Sequence, residues 1–242
     1  MSGTIRKYIK SSWIFAVILM ALINGCNTVN PPVFGGTVKD IDGNVYNTVT
    51  IGTQTWMIEN LKTTHFNDNT QIPMVTDSAA WTNLKTPGYC WYNNDSTSNK
   101  NTYGALYNWQ AVNSKLLAPK GWHIPTEADW DLLENKATDY LYISGSLSKI
   151  LASKSNWAKS TKPGAIGNNL TLNNSCGFNA LPGGMRDTLF NSLGSGGAFW
   201  SSTVKSDTTS LGILLNYELS TVDKYNKRPW NGLSVRCIKD AN

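Results

Sequence analysis

Histidine is scarce in this chain: His65 and His123 are the only two, and neither stands in a His-x-x-x-His or Glu-x-x-His pattern. A zinc centre needs three or four converging ligands, so a histidine-built one is excluded. The nucleophile elbow Gly-x-Ser-x-Gly is also missing, and a nucleophile at Ser201 or Ser202 would have only those two histidines for its base. The lectin-type calcium triplets Glu-Pro-Asn and Gln-Pro-Asp do not occur either. The longest apolar run, Trp13 to Ile23, falls short of the roughly 20 residues needed to cross about 30 Å of hydrocarbon, which argues against a permanent transmembrane helix.

That same run is informative in another way. Arg6, Lys7 and Lys10 precede it, and Asn24, Gly25 and Cys26 follow at once, which is the basic, apolar, cleavable layout of a secretory signal. Ile23-Asn24-Gly25-Cys26 resembles a bacterial lipobox, in which the cysteine is acylated and becomes the new N-terminus. The expectation is a signal peptide over residues 1–25, lipidation at Cys26, a tether over 26–36 rich in Pro31, Pro32, Gly35 and Gly36, and one domain over 37–240. Asn27, in place of Asp, resembles the pattern of lipoproteins sent to the outer membrane, so the expected location is the cell envelope, with the membrane reached through the lipid anchor.

Removing residues 1–25 takes away three of the 21 basic residues and none of the 16 acidic ones, leaving a formal charge of about +2. No electrostatic case for nucleic acid survives. The full chain has ten Trp and ten Tyr, all but Trp13 and Tyr8 within the slightly over 200 residues that remain, which suits a single domain with a large aromatic core.

Along the domain, Val38 and Ile41, the Asp42-Gly43 turn, and Val45, Val49 and Ile51 predict a hairpin, with Thr55 to Ile58 as a third strand. Leu106, Trp109 and Val112 predict a short helix within 103–112. Thr126 and Asp129 predict a capped helix start whose apolar stripe is Trp130, Leu133 and Ala137, leaving Glu127, Asp131 and Glu134 on the wet face. A further helical turn is expected near 147–152, and three closing strands at 199–203, 213–219 and 233–238. Helices early and strands late predict an α+β domain.

Seven segments then resemble, in order, the Fibrobacter succinogenes major paralogous domain family: residues 51–61, 89–95, 103–109, Gly-Trp-His-Ile-Pro-Thr-Glu-Ala-Asp-Trp at 121–130, 177–184, 199–203 and Ser-Val-Arg-Cys-Ile-Lys-Asp at 234–240. The resemblance implies an exported, often lipidated protein. The 125–130 and terminal Val-Arg-Cys segments are also similar to formylglycine-generating, sulfatase-modifying domains, which implies a C-type-lectin-like fold; it implies nothing about function. Those enzymes use a pair of closely spaced cysteines for copper, whereas this region holds Cys237 alone, so the oxidase chemistry is not expected. With Cys26 acylated, Cys90, Cys176 and Cys237 remain. Family members often carry a cysteine where this chain has Ala118; the expected disulfide is Cys90 to Cys237, with Cys176 to Cys237 as the alternative and one buried thiol left over.

Among chemistry-bearing residues, the oxygen-rich run 95–101 invites comparison with a calcium loop, but Leu106 stands where the bidentate Glu belongs. No cofactor is expected, calcium being the one for which the sequence offers any ligands. The acidic residues of the 127–134 helix are read as solvated, and His123 as a hydrogen-bonded structural imidazole. Trp81, Trp91, Tyr92, Trp157, Tyr217, Tyr225 and Trp230 are candidates for a sugar-stacking platform; Trp91, Tyr225 and Trp230, in loop-like sequence, are expected to be exposed, with Asn94 and Asp95 to hold hydroxyls. The expected function is a lipid-anchored binding or adhesion module without catalytic activity, its ligand a glycan or an envelope protein. The alternatives are an enzyme with an unrecognised site and a structural assembly component of the envelope.

Overall fold

The computed structural model of the protein describes residues 31–241; Cys26, the signal segment and the start of the tether lie outside the described residues. Two five-stranded sheets and a two-stranded ladder carry the architecture, with short helices between them. The domain is α+β.

The first sheet has the order β1 (Val33–Lys39), β2 (Val45–Ile51), β3 (Gln54–Met57), β12 (Ile238–Lys239), β6 (Trp122–His123). Its opening hairpin closes where Asp42-Gly43 predicts, with Gly43 at φ +78°, a conformation that glycine adopts without a Cβ clash. Asp40 locks the turn: its carboxylate accepts from Asn44 N at 2.9 Å and from the buried Tyr46 hydroxyl at 2.5 Å. β1 begins four residues earlier than the expected domain start, because Val33 and Phe34 pair with Thr50 and Val49. Residues 33–36 are therefore strand, not tether.

The second sheet runs β11 (Asp223–Lys227), β10 (Thr209–Asn216), β9 (Gly196–Ser206), β7 (Gly183–Arg186), β8 (Phe190–Leu193), and β4 (Tyr89–Cys90) pairs with β5 (Leu106–Tyr107). Among the described residues the α-helices are α1 (Ser78–Thr82), α2 (Ser96–Tyr103), α3 (Trp109–Asn113), α4 (Glu127–Ala137), α5 (Leu141–Ser144) and α6 (Leu147–Leu151). α4 starts as predicted, with Thr126 and Asp129 forming a reciprocal capping box. The helix expected within 103–112 is shorter than its spacing suggests. Leu106 and Tyr107 are strand, and Asn108, whose side chain accepts from Ala111 N at 3.1 Å, delays the helix to Trp109.

Trp130 of α4 meets Trp56 of β3 at 5.1 Å between ring centroids, and both meet Phe178, at 5.7 and 5.5 Å. Burying one such ring removes roughly 150–250 Å² from water, or about 4–6 kcal/mol at ~25 cal/mol per Å². A second core gathers Trp91, Trp109, Trp200 and Tyr107.

The segment 233–238, expected as one strand, is buried throughout but changes partner at nearly every residue. Leu233 bridges Tyr107, Ser234 bridges Phe199, Val235 O accepts from Leu61 N, and Cys237 O accepts from Met57 N before Ile238 joins Trp56. Its backbone is satisfied by four separate elements, so it is a seam and not a ladder strand.

Neither expected disulfide is present among the described residues: Cys90, Cys176 and Cys237 are free and buried. Cys90 packs with Trp81, Tyr92 and Leu106, Cys237 with the core around Tyr46 and Tyr107, and Cys176 donates its thiol to Ile150 O at 3.3 Å. Three separate apolar settings hold them. Burial pushes the Cys90 thiol up to about 11 and that of Cys176 to about 12, and raises Cys237 too.

Candidate functional site

The residues expected to form one binding face are scattered. Trp91 is buried at 5% exposure, edge-on to Tyr89 and beneath the Lys100 ammonium, so the expectation that it is exposed is overturned. Its neighbours in sequence are turn residues: Asn94, at φ +57°, donates to Thr76 O, and the Asp95 carboxylate caps α2 by accepting from Ser98 N at 3.0 Å. Because 96–103 is helical, its alternate oxygens lie about 200° apart around the axis and cannot converge as a calcium loop requires. Tyr225 is exposed on the edge strand β11, its hydroxyl donating to Asp223 at 3.3 Å, and does not line the groove that contains Trp230.

Trp230 is different. Half-buried, it lines a groove of about 580 Å³ together with Leu84, Lys85, Gln110, Asp207, Thr208, Thr209, Arg228 and Pro229. Four elements supply these side chains, and buried polar groups fix their spacing. Asn108 accepts from Gly88 N at 3.0 Å and donates to Thr86 O at 2.8 Å while capping α3, so the loop carrying Lys85 is tied to the helix carrying Gln110. Pro229 O accepts from Trp109 N at 2.9 Å, which fastens the 228–230 loop to the same helix. Asn231 closes that loop by accepting from Arg228 N at 2.8 Å and donating to Asp187 at 2.5 Å. The β9–β10 turn completes the wall, with Ser206 and Thr209 hydroxyls 2.8 Å apart.

Two features of the lining are unpartnered. The Gln110 Oε1 is closed to solvent and has no hydrogen-bond partner, which costs about 1–3 kcal/mol. Arg228 holds its guanidinium 5.9 Å from the Trp230 ring centroid, and among the described residues neither it nor Lys85 makes an ion pair. Lys85, Gln110, Thr208 and Arg228 were not legible as site residues in the sequence, because no spacing or motif links positions 85, 110, 208 and 228.

A second cleft, of about 370 Å³, contains His123, Asp129 and Asp240 with Thr53, Gln54 and Thr55. His123 Nδ1 lies 2.7 Å from Asp240 and Nε2 lies 3.3 Å from Asp129, so both ring nitrogens are engaged. Burial alone would raise the Asp129 carboxyl, but hydrogen bonds from Thr126 and His123 outweigh it and hold the group below its ordinary range. The helix face read as solvated is only partly so. Glu127 pairs with Lys205 at 2.5 Å and Asp131 with Lys224, whereas Glu134 buries Oε1 without a partner, and burial raises its carboxyl. Among the described residues no three His, Cys, Asp or Glu side chains are grouped to hold a metal, and no helix is long and apolar enough to cross a membrane.

Compared with known families, residues 49–239 match the one described as Fibrobacter succinogenes major domain. No curated protein and no solved structure matches the chain. The expected kinship with C-type-lectin-like folds therefore rests on sequence segments alone.

Proposed function

The chain belongs to the Fibrobacter succinogenes major domain family, and on that premise we propose that it is a lipid-anchored binding module of the cell envelope whose ligand is a glycan held at the Trp230 groove. The groove carries the reading. An aromatic ring, two threonines and charged side chains share a cleft within the 300–1,000 Å³ span usual for small-ligand sites. A sugar presents C–H faces to stack on an indole and hydroxyls to bond Thr208, Thr209 and Asp207, so each of these features has a counterpart in one ligand class. Export and acylation at Cys26 would set the domain outside the cytosol, where polysaccharide is met.

The test is a glycan array probed with the detergent-solubilised full chain, followed by titration of the hits. Trp230→Ala is expected to weaken binding at least tenfold with little change in the unfolding midpoint, since the ring is half-exposed. An array without hits, or unchanged affinity in the variant, overturns the reading.

A catalytic role at His123 has one observation in its favour, the cleft that places it between two carboxylates. Both imidazole nitrogens are already bound, which leaves no free lone pair to act as a base. The arrangement supports a clasp joining the C-terminal residues to the start of α4, and we propose no enzymatic activity.

A further inference from the structure

We infer that the ligand of the Trp230 groove is an acidic saccharide, one bearing a carboxylate or sulfate; this deepens the glycan reading and rests on it. Lys85 and Arg228 line one cleft and, among the described residues, have no acidic partner there or elsewhere. Asp207 lines the same cleft and bonds to neither of them, so the lining carries two positive charges against one negative.

Arg228 is also held in place before any ligand arrives. Its backbone is clamped in both directions by Asn231, at 2.8 and 2.9 Å, and its guanidinium rests near the Trp230 ring. A guanidinium this near an indole is placed to meet an anionic group carried by a sugar bound at that ring. A bare inorganic anion would satisfy the two cations but leave the indole without a partner. A neutral sugar would do the reverse. An acidic sugar meets both cations and the indole, and its ring hydroxyls find acceptors in Asp207 and Thr208 of the lining.

The experiment uses the full chain in detergent and matched pairs of oligosaccharides. Galacturonate, glucuronate and chondroitin sulfate oligomers are each set against their carboxyl-reduced or desulfated counterparts, with inorganic sulfate alone as a further arm. The expected result is binding to at least one acidic member, at least tenfold weaker binding to its neutral partner, and affinity that falls as salt is raised. Arg228→Gln and Lys85→Gln are each expected to lower affinity for the acidic member by about three- to tenfold and to flatten the salt dependence. Lys224→Gln, an equal charge loss outside the groove, is expected to do neither. Equal binding of acidic and neutral members, unmoved by Arg228→Gln, overturns the acidic ligand while leaving the glycan reading in place. Silence across every pair overturns both, and binding of sulfate alone at the same strength reduces the site to an anion pocket and overturns the saccharide.

Discussion

Arg236 donates from Nη2 to Asn60 Oδ1 at 2.8 Å, joining residues 176 positions apart across the interior, with its guanidinium carbon 4.5 Å from the Phe178 ring centroid. The side chain is fully buried and also donates to Phe178 O. Burial lowers its pKa to about 9 against the opposing attraction of the Glu59 carboxylate, and with no ion pair in direct contact the guanidinium is held by amide oxygens and two aromatic faces. Removing Arg236 leaves the buried Asn60 Oδ1 and Phe178 O without this donor, and removing Asn60 leaves the guanidinium only backbone carbonyls as acceptors.

Arg236→Ala is therefore expected to cost about 3–5 kcal/mol, from buried acceptors left without a donor and the cavity beside Phe178, and Asn60→Ala, which strips one partner from a buried charge, about 2–3 kcal/mol. Arg236→Lys should recover little, because an ammonium cannot reproduce the planar fork. Urea unfolding of the three variants decides it; a loss under about 1 kcal/mol for Arg236→Ala would show the cluster to be dispensable.

The thiols provide a second check. Three separated, buried cysteines with raised pKa values are expected to resist a maleimide in the native state and to react at all three positions in denaturant. Intact mass after labelling counts the sites. A mass two hydrogens lighter with only one reactive thiol among Cys90, Cys176 and Cys237 would restore a disulfide.

At the start of α4, Thr126→Ala should cost about 1 kcal/mol by undoing the capping box. The Asp129 carboxyl sits below its ordinary value of 3.8 in the folded state, so its stabilising effect is complete above that value and is lost as pH falls through the depressed folded one. Asp129→Asn should flatten that acid-side slope in thermal melts. An unchanged slope would mean that the bonds from Thr126 and His123 do not persist in solution.

Glu134 has the opposite sign. Its carboxyl is raised above 4.5 by burial, so stability is greatest with the group protonated and declines as pH climbs from about 4.5 through the folded value. Glu134→Gln is expected to raise the melting temperature at pH 7, by the equivalent of about 0.5 kcal/mol once solvent screening is allowed for, and to leave pH 4 unaffected. A lower melting temperature at pH 7 would show that the Lys224 attraction outweighs burial.

Several elements were readable because their signals are local. The Asp42-Gly43 hairpin needs only two residues with the right backbone freedom, and the α4 cap needs only Thr126 and Asp129 three positions apart. The helix over 96–103 was missed for an equally local reason. Ser, Thr and Asn read as turn or loop, and only the Asp95 cap and the buried Asn99, which donates to Tyr92 O at 2.9 Å, make the segment helical.

Family membership, the α+β class and the presence of a large aromatic core follow from the order of residues alone, since they depend on motifs and on hydrophobic content. Which tryptophan faces solvent does not. Trp91 and Trp230 both sit in polar, turn-rich sequence, yet one is packed between Tyr89 and Lys100 and the other borders an open groove. That difference is decided by what α3, the β9–β10 turn and the 84–88 loop bring alongside, through bonds such as those of Asn108 that span twenty residues or more. Exposure is a property of neighbours, and neighbours distant in the chain are assigned only when it folds.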